Sequence, residues 1–251
     1  FRRLKAHVEK ENWFAVGIDF CIVVIGVFIG IQVANWNEAR AAKERERLLL
    51  VELREEVKRN VADTEGKGRG FMVGAVSARH LLARSEDIAS VCNQDCWDLI
   101  VDMMHASQWQ QMNINWTTYD ELRRDGLPSN REIVDAIETL QYVARQSANA
   151  LVTPPEYRTL VRRKIPIELQ DAYWNSCFLI EEQVEIYIDP CEKPDSVVVD
   201  PELVISILSD EKIITTMREW TSTARMTGAA LIASGQGQTE VLQILDKEIS
   251  K

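Results

Sequence analysis

Trp13-Phe-Ala-Val-Gly-Ile-Asp-Phe-Cys-Ile-Val-Val-Ile-Gly-Val-Phe-Ile-Gly-Ile-Gln-Val-Ala-Asn-Trp-Asn-Glu38 is the stretch on which the reading of the whole chain turns. Phe14 to Ala34 is almost wholly apolar, and at 1.5 Å per residue it makes about 31 Å of helix, one hydrocarbon thickness. Trp13 and Trp36 bracket the run as interfacial anchors. A buried helix of a globular core is usually shorter and apolar on one face only. The run therefore predicts a transmembrane helix over 13–36, preceded by a tail over 1–12. The basic start (Arg2, Arg3, Lys5, Lys10) and Ala39-Arg40-Ala41 have the look of a cleaved signal. The apolar run, however, exceeds the roughly 7–15 residues of a signal's core, so an uncleaved anchor is expected.

Two features within the run point to helix packing. Gly26-Val-Phe-Ile-Gly30 is a small-xxx-small pattern that lets a second helix approach closely. Asp19 is a carboxylate inside the span, which is costly unless it faces a partner or a wet cavity or snorkels to the headgroups. Gln32 adds a polar handle near the other end. Asp19, Gly26, Gly30 and Gln32 are the expected membrane packing positions.

The formal net charge of the 251 residues is −10, and the tail and span are slightly basic, so the remainder carries the acidity. That disfavours nucleic acid as a ligand. Basic residues flank both ends of the span, with Arg40, Lys43, Arg45 and Arg47 on the far side, so charge alone leaves orientation nearly balanced. Cys92, Cys96, Cys177 and Cys191 tip it. They form an even set in the large domain, suited to disulfides in an oxidising compartment, and their spacing matches no zinc motif. The expectation is an N-terminus in the cytoplasm and a main domain in the periplasm, with local pairs Cys92–Cys96 and Cys177–Cys191. The second pair requires the helix entering it to end well before Ile188, or too little chain is left to return.

From Asn37 to about Asp63 there is no Gly or Pro, and Leu50, Leu53, Val57 and Val61 recur at helical spacing. A stalk is expected over 37–65, ended by Gly66, Gly68 and Gly70, with a helical domain over 66–251. Within it a helix is expected over Phe71–Glu86. Asp95 is the expected cap of the next, whose buried stripe is Trp97, Ile100, Val101 and Met104. Ser129-x-x-Glu132 and Thr153-Pro-Pro-Glu156 read as capping boxes. Leu169, Tyr173, Cys177, Ile180 and Val184 suggest one long amphipathic helix, and 189–200 a loop. Asp200-Pro201 opens a short helix; Ser209 is the expected cap of a long one, broken at Gly235 and Gly237. No strand of useful length is expected. The fold class is mainly α: one N-terminal transmembrane helix, a stalk and an extramembrane helical bundle.

Catalytic patterns are missing from the sequence: no phosphate loop, dinucleotide turn, nucleophile elbow or zinc-protease helix. Asp102-Met-Met-His105 has half the spacing of a di-iron site without its second half, and Asp98, Asp102 and His105 read as a solvated face. Glu52 with Glu56, and Glu181 with Glu182, read as charged helix surface. Of the domain tryptophans, Trp97 and Trp220 fall on apolar stripes, and most of the set is expected in the core. Trp109 and Trp116, in a polar stretch, mark a candidate contact loop.

The span ending Gly30-Ile-Gln32-Val-Ala-Asn35-Trp36-Asn37-Glu38, and Thr118-Tyr-Asp-Glu-Leu-Arg-Arg-Asp-Gly126 followed by Asn130-Arg-Glu132, resemble motifs of an uncharacterised bacterial family of single-span inner-membrane proteins. In that family an acid often stands where Asp19 does. The resemblance covers the first 65 residues and about 30 in the middle, and the cysteines depart from it. It implies a helical domain outside the inner membrane and supplies no activity, cofactor or metal. The sequence thus points to a non-enzymatic, membrane-anchored accessory or scaffold subunit. Its partners would be integral membrane proteins, a second copy through the span included, and the lipid bilayer. The alternative is a periplasmic ligand-sensing or binding module acting through a partner.

Overall fold

The computed structural model describes residues 13–86, 96–112, 114–181 and 184–251. It is mainly α-helical: α1 Trp13–Ser85, α2 Trp97–Ala106, α3 Thr117–Arg124, α4 Arg131–Ala150, α5 Glu156–Lys164, α6 Ile167–Ser176, α7 Pro201–Leu208 and α8 Glu211–Ile249. A two-stranded antiparallel sheet, β1 Phe178–Glu181 and β2 Val184–Tyr187, follows α6, with Phe178 opposite Tyr187 and Glu181 opposite Val184. The chain divides into two compact units, Phe1–Leu50 and Val51–Lys251, and α1 contributes to both. The tail expected over 1–12 lies outside the described residues.

In the first unit, the apolar stretch of α1 is long enough to cross a membrane, and none of it is buried. Ile22, Val24, Phe28 and Ile31 are each about half exposed or more, a continuous apolar surface. Trp36 is exposed, with the Arg40 guanidinium 5.9 Å from its ring centre.

In the second unit, the core gathers Phe71, Ala75, Ala78 and Leu81 of α1 around α2, α5, α6, α7 and the first half of α8. Trp97, Ile100, Val101 and Met104 are buried as their spacing implies. Leu99 and Met103 are buried as well, so α2 is enclosed on most of its circumference. Toward the other end α4 packs along α8, and Leu53, Val57, Ile133, Ile137, Val241 and Leu245 are buried. Each such aliphatic side chain contributes about 1.5–3 kcal/mol by leaving water.

Five sequence expectations are corrected. Gly66, Gly68 and Gly70 lie inside α1, and no second helix starts at Phe71. Gly235 and Gly237 likewise lie inside α8. Most of these glycines are contact points. A Cβ on Gly68 would stand 3.2 Å from the Gly228 carbonyl oxygen, one on Gly228 3.0 Å from the Gly68 oxygen, and one on Gly235 2.6 Å from Glu65 Cγ. Close approach of α1 and α8 thus outweighs glycine's poor helix propensity. Third, Leu169–Val184 is not one helix. α6 ends at Ser176 and the chain turns at Cys177 into β1 and then β2, where Phe178, Leu179 and Ile180, then Val184, Ile186 and Tyr187, favour strand. Fourth, three caps shift. Asn130, not Ser129, accepts from the Glu132 N–H at 2.9 Å; Asp210, not Ser209, accepts from Lys212 and Ile213; and Pro155, not Thr153, precedes α5. Asp200 caps α7 as expected, accepting from the Glu202 N–H at 2.9 Å. The Asp95 cap lies outside the described residues. Fifth, Glu56 is not surface: it is 2% exposed and accepts from the Thr118 N–H at 2.9 Å, so its carboxylate caps the first turn of α3. Glu52 and Glu181 are exposed, and Glu182 lies outside the described residues.

The turn after α3 follows its sequence closely. Gly126 has φ +77°, the Leu127 N–H reaches the Leu122 oxygen at 2.8 Å, and the Gly126 N–H reaches the Arg123 oxygen at 3.2 Å. That is a Schellman ending, which needs a left-handed residue where glycine stands.

Candidate functional site

The helix geometry of α1 sorts the four expected membrane positions. At 100° per residue, Asp19, Gly26 and Gly30 fall within about 40° of arc, a single face. Gln32 falls on the far side and is not part of it. All four are exposed, and a Cβ on Gly26 or Gly30 would meet nothing within 4 Å. The three positions form an open small-residue face with a carboxylate one end along it. Trp36 stands exposed at the expected boundary, whereas the Trp13 side chain lies outside the described residues.

In the second unit, the disulfide Cys177–Cys191 closes the loop that carries the hairpin, with Cα atoms 5.3 Å apart. It forms because α6 stops one residue before Cys177, which leaves ample chain for the return. Cys96 is also disulfide-bonded, whereas Cys92 lies outside the described residues. Cys21 is a free, exposed thiol.

Behind the hairpin lies a polar and aromatic cluster that sequence reading missed. His105 is 1% exposed, and its ring meets Tyr173 at 5.4 Å and Tyr187 at 5.7 Å, edge to face. It was expected on a solvated face with Asp98 and Asp102. Only Asp98 is exposed; Asp102 is half-buried and contacts His80 Nδ1 at 2.6 Å. Burial pushes the His105 imidazole down to about 4, against the opposing pull of Asp189 and of the Cys177 carbonyl. Burial raises Asp102, against bonds from Ser77 and His80.

Arg162 donates from Nε to Ser107 Oγ at 2.8 Å and lies 5.2 Å from the Trp174 ring centre; Arg158 donates to the Ser107 carbonyl at 2.9 Å. Burial and then the neighbouring Arg158 lower Arg162 to about 10. Gln108 donates to the Tyr173 hydroxyl at 3.1 Å, and Gln110 donates to Glu185 at 2.6 Å and to the Tyr187 hydroxyl at 2.8 Å. The Tyr187 hydroxyl donates to Glu185 as well. Burial, then the Glu185 charge, raises the Tyr187 phenol. In sequence, Arg158 and Arg162 are one turn apart, as are Tyr157 and Val161, and that spacing is the only signal of the face α5 turns inward.

These bonds also revise the contact stretch. Gln108 and Gln110 point inward, and Trp109 packs against the core. Trp116 stays half-buried on a shallow pocket of about 380 Å³ with Ile114, Asp120, Gln141 and Arg145. Among the described residues, no group of three or more His, Cys, Asp or Glu side chains is arranged to hold a metal ion. A trough of about 880 Å³ lies between α1 and the hairpin, lined by Val61, Ala62, Gly70 and Val73 on one side and by β2 on the other.

The buried histidine makes stability depend on pH with a defined sign. Its folded pKa lies below the ordinary 6.5, so its contribution is complete above pH 6.5 and is lost as pH falls toward 4, where only the unfolded chain takes up the proton. The loss reaches about 3 kcal/mol. Asp102, raised by burial, acts in the opposite sense around the carboxylate range. Denaturant midpoints at pH 7.5, 6 and 5 should fall for the wild type, and His105→Phe should flatten the series. An unchanged slope in the variant would assign the pH dependence elsewhere.

No family model matches the sequence, and no curated protein or solved structure matches it.

Proposed function

We propose that this chain is a non-enzymatic, membrane-anchored accessory or scaffold subunit of a larger bacterial inner-membrane complex, with its acidic helical domain in the periplasm. The observation that carries the reading is the open face of Asp19, Gly26 and Gly30 on a helix apolar enough to span. A carboxylate at the centre of a span costs about 2.5–3.5 kcal/mol by insertion scales; Asp19, six residues from Trp13, bears part of that cost, which a partner helix or a wet cavity offsets. Glycines at i and i+4 beside it admit such a helix at close range. The Cys177–Cys191 disulfide supports the periplasmic side, because reducing cytoplasm opposes such bonds. The resemblance to single-span inner-membrane proteins points the same way.

The test is extraction in a mild detergent followed by native mass measurement. The wild type is expected in a defined assembly, and Asp19→Leu/Gly26→Ile is expected to leave that assembly while remaining inserted. A wild type found only as a lone monomer counts against the reading. Unchanged co-purification of the double variant removes the packing face and leaves Asp19 as a snorkelling side chain. The second reading, a periplasmic binding module acting through a partner, is favoured by one observation, the trough beside the hairpin.

A further inference from the structure

Between the segment that leads into α3 and the second half of α4 lies the pocket of about 380 Å³ that Trp116 borders. That volume falls within the roughly 300–1,000 Å³ of small-molecule sites. One wall is Met112, Ile114 and Trp116, large apolar side chains that are each half-buried. The other comes from α4, where Gln141, Ala144, Arg145 and Ala148 stand at i, i+3, i+4 and i+7, a single helix face. The two alanines leave room that longer side chains would fill.

The walls are held in place from behind. Asn60 of α1 donates to the Asn115 carbonyl at 2.8 Å, and the Glu56 carboxylate accepts from the Thr118 N–H at 2.9 Å. Bonds on both sides of Trp116 thus fix the chain that carries it. The Trp116 ring meets that of the buried Tyr119 edge to face at 6.5 Å. The Asp120 N–H bonds to the Trp116 carbonyl at 2.9 Å, which sets the Asp120 side chain one turn further along the same wall.

Charge singles the pocket out. Asp120 from α3 and Arg145 from α4 both line it, opposite in sign, yet no ion pair joins them. Among the described residues neither side chain makes a hydrogen bond or ion pair, and neither does the Gln141 amide. An anion alone would sit against Asp120, and a cation alone against Arg145. A wholly apolar molecule would strip water from both charges and pair neither. A molecule with a carboxylate, an ammonium and an apolar body suits every wall. The guanidinium fork takes the carboxylate, Asp120 and the indole face take the ammonium, and Met112 and Ile114 take the apolar body.

From this we infer that the pocket binds a small zwitterion, an amino acid or dipeptide with apolar side chains. The inference goes beyond association through the span and stands without it.

The test is titration of the full chain in detergent, read by ligand-observed NMR. The ligands are leucine, dileucine, and two leucine derivatives that each lack one charge, N-acetylleucine and leucine amide. Leucine or dileucine should bind with a Kd of about 1 mM or tighter. Whichever binds better reports the spacing of charges that the pocket accepts. Both derivatives should bind about tenfold more weakly. Arg145→Gln should weaken the zwitterion about tenfold while leaving leucine amide as it was, and Asp120→Asn should do so while leaving N-acetylleucine as it was. Both positions are exposed, so the variants should fold as the wild type does. No saturable binding of either zwitterion overturns the inference, as does a derivative that binds equally well or indifference to either substitution. The Asp19→Leu/Gly26→Ile variant keeps the pocket and should bind the same ligand, so failure of the span reading and failure of this one are told apart.

Discussion

Gly228→Leu is expected to lower stability by about 3 kcal/mol, whereas Gly237→Ala, nine residues along the same helix, is expected to raise it by roughly 0.5–1 kcal/mol. The two glycines have the same intrinsic helix cost, so packing decides the sign. At position 228 a new Cβ would stand 2.9 Å from Met72 Cγ and 3.0 Å from the Gly68 carbonyl oxygen. The methionine can swing aside. The carbonyl belongs to α1 and cannot move without the helix, and the rest of a leucine has nowhere to go. At position 237 the nearest atom is Leu140 Cδ2 at 3.5 Å, an ordinary contact, so the gain in helix propensity is kept. Urea titration in mild detergent, followed by the fluorescence of the buried Trp220, reads both. Equal shifts of the same sign would mean that α1 and α8 do not meet at Gly68 and Gly228.

The second large effect is expected from the hairpin. Cys177→Ser/Cys191→Ser should cost about 3 kcal/mol, the usual stabilisation from closing a loop of this size. The loop carries Phe178 and Tyr187, which pack on Trp174 and His105, so its loss should propagate inward. Hydrogen exchange separates this from general weakening: amides of 178–187 should speed up most, while those of α2 and α8 follow only global stability. A uniform change across the domain would show that the bond constrains the unfolded chain alone.

Much of the architecture was legible. The apolar run of α1, the stripe of α2 and the Asp200-Pro201 start each follow from a local rule that the fold obeys. What was misread had a common origin. Gly66, Gly68, Gly70, Gly235 and Gly237 carry the same local signal whether they break a helix or let two elements touch, and only the partner, far away in sequence, decides. Leu169 to Val184 satisfies a helical period by accident, because Cys177, Ile180 and Val184 also suit a strand; the turn at Cys177 breaks the tie. That Asp19, Gly26 and Gly30 share one exposed face of α1, with Gln32 on the other, follows from helical rotation alone. The cluster around His105 was not readable. Its members come from α2, the segment after it, α5, α6 and the hairpin, so no window of sequence contains them.

The meeting of Gly68 with Gly228 also sets an order of events during synthesis. About 160 residues separate them, and at a ribosomal rate of 5–20 residues per second the second emerges roughly 8–30 s after the first. Through that interval Gly68 lacks its α8 partner, and so does the buried edge of α4 that α8 later covers. Local contacts such as the α3 turn can settle at once, but the bundle can close only when its last helix arrives. A nascent chain stalled before Ala224 should therefore present uncovered the sides of α1 and α4 that α8 packs on, a natural client for a chaperone that grips apolar grooves.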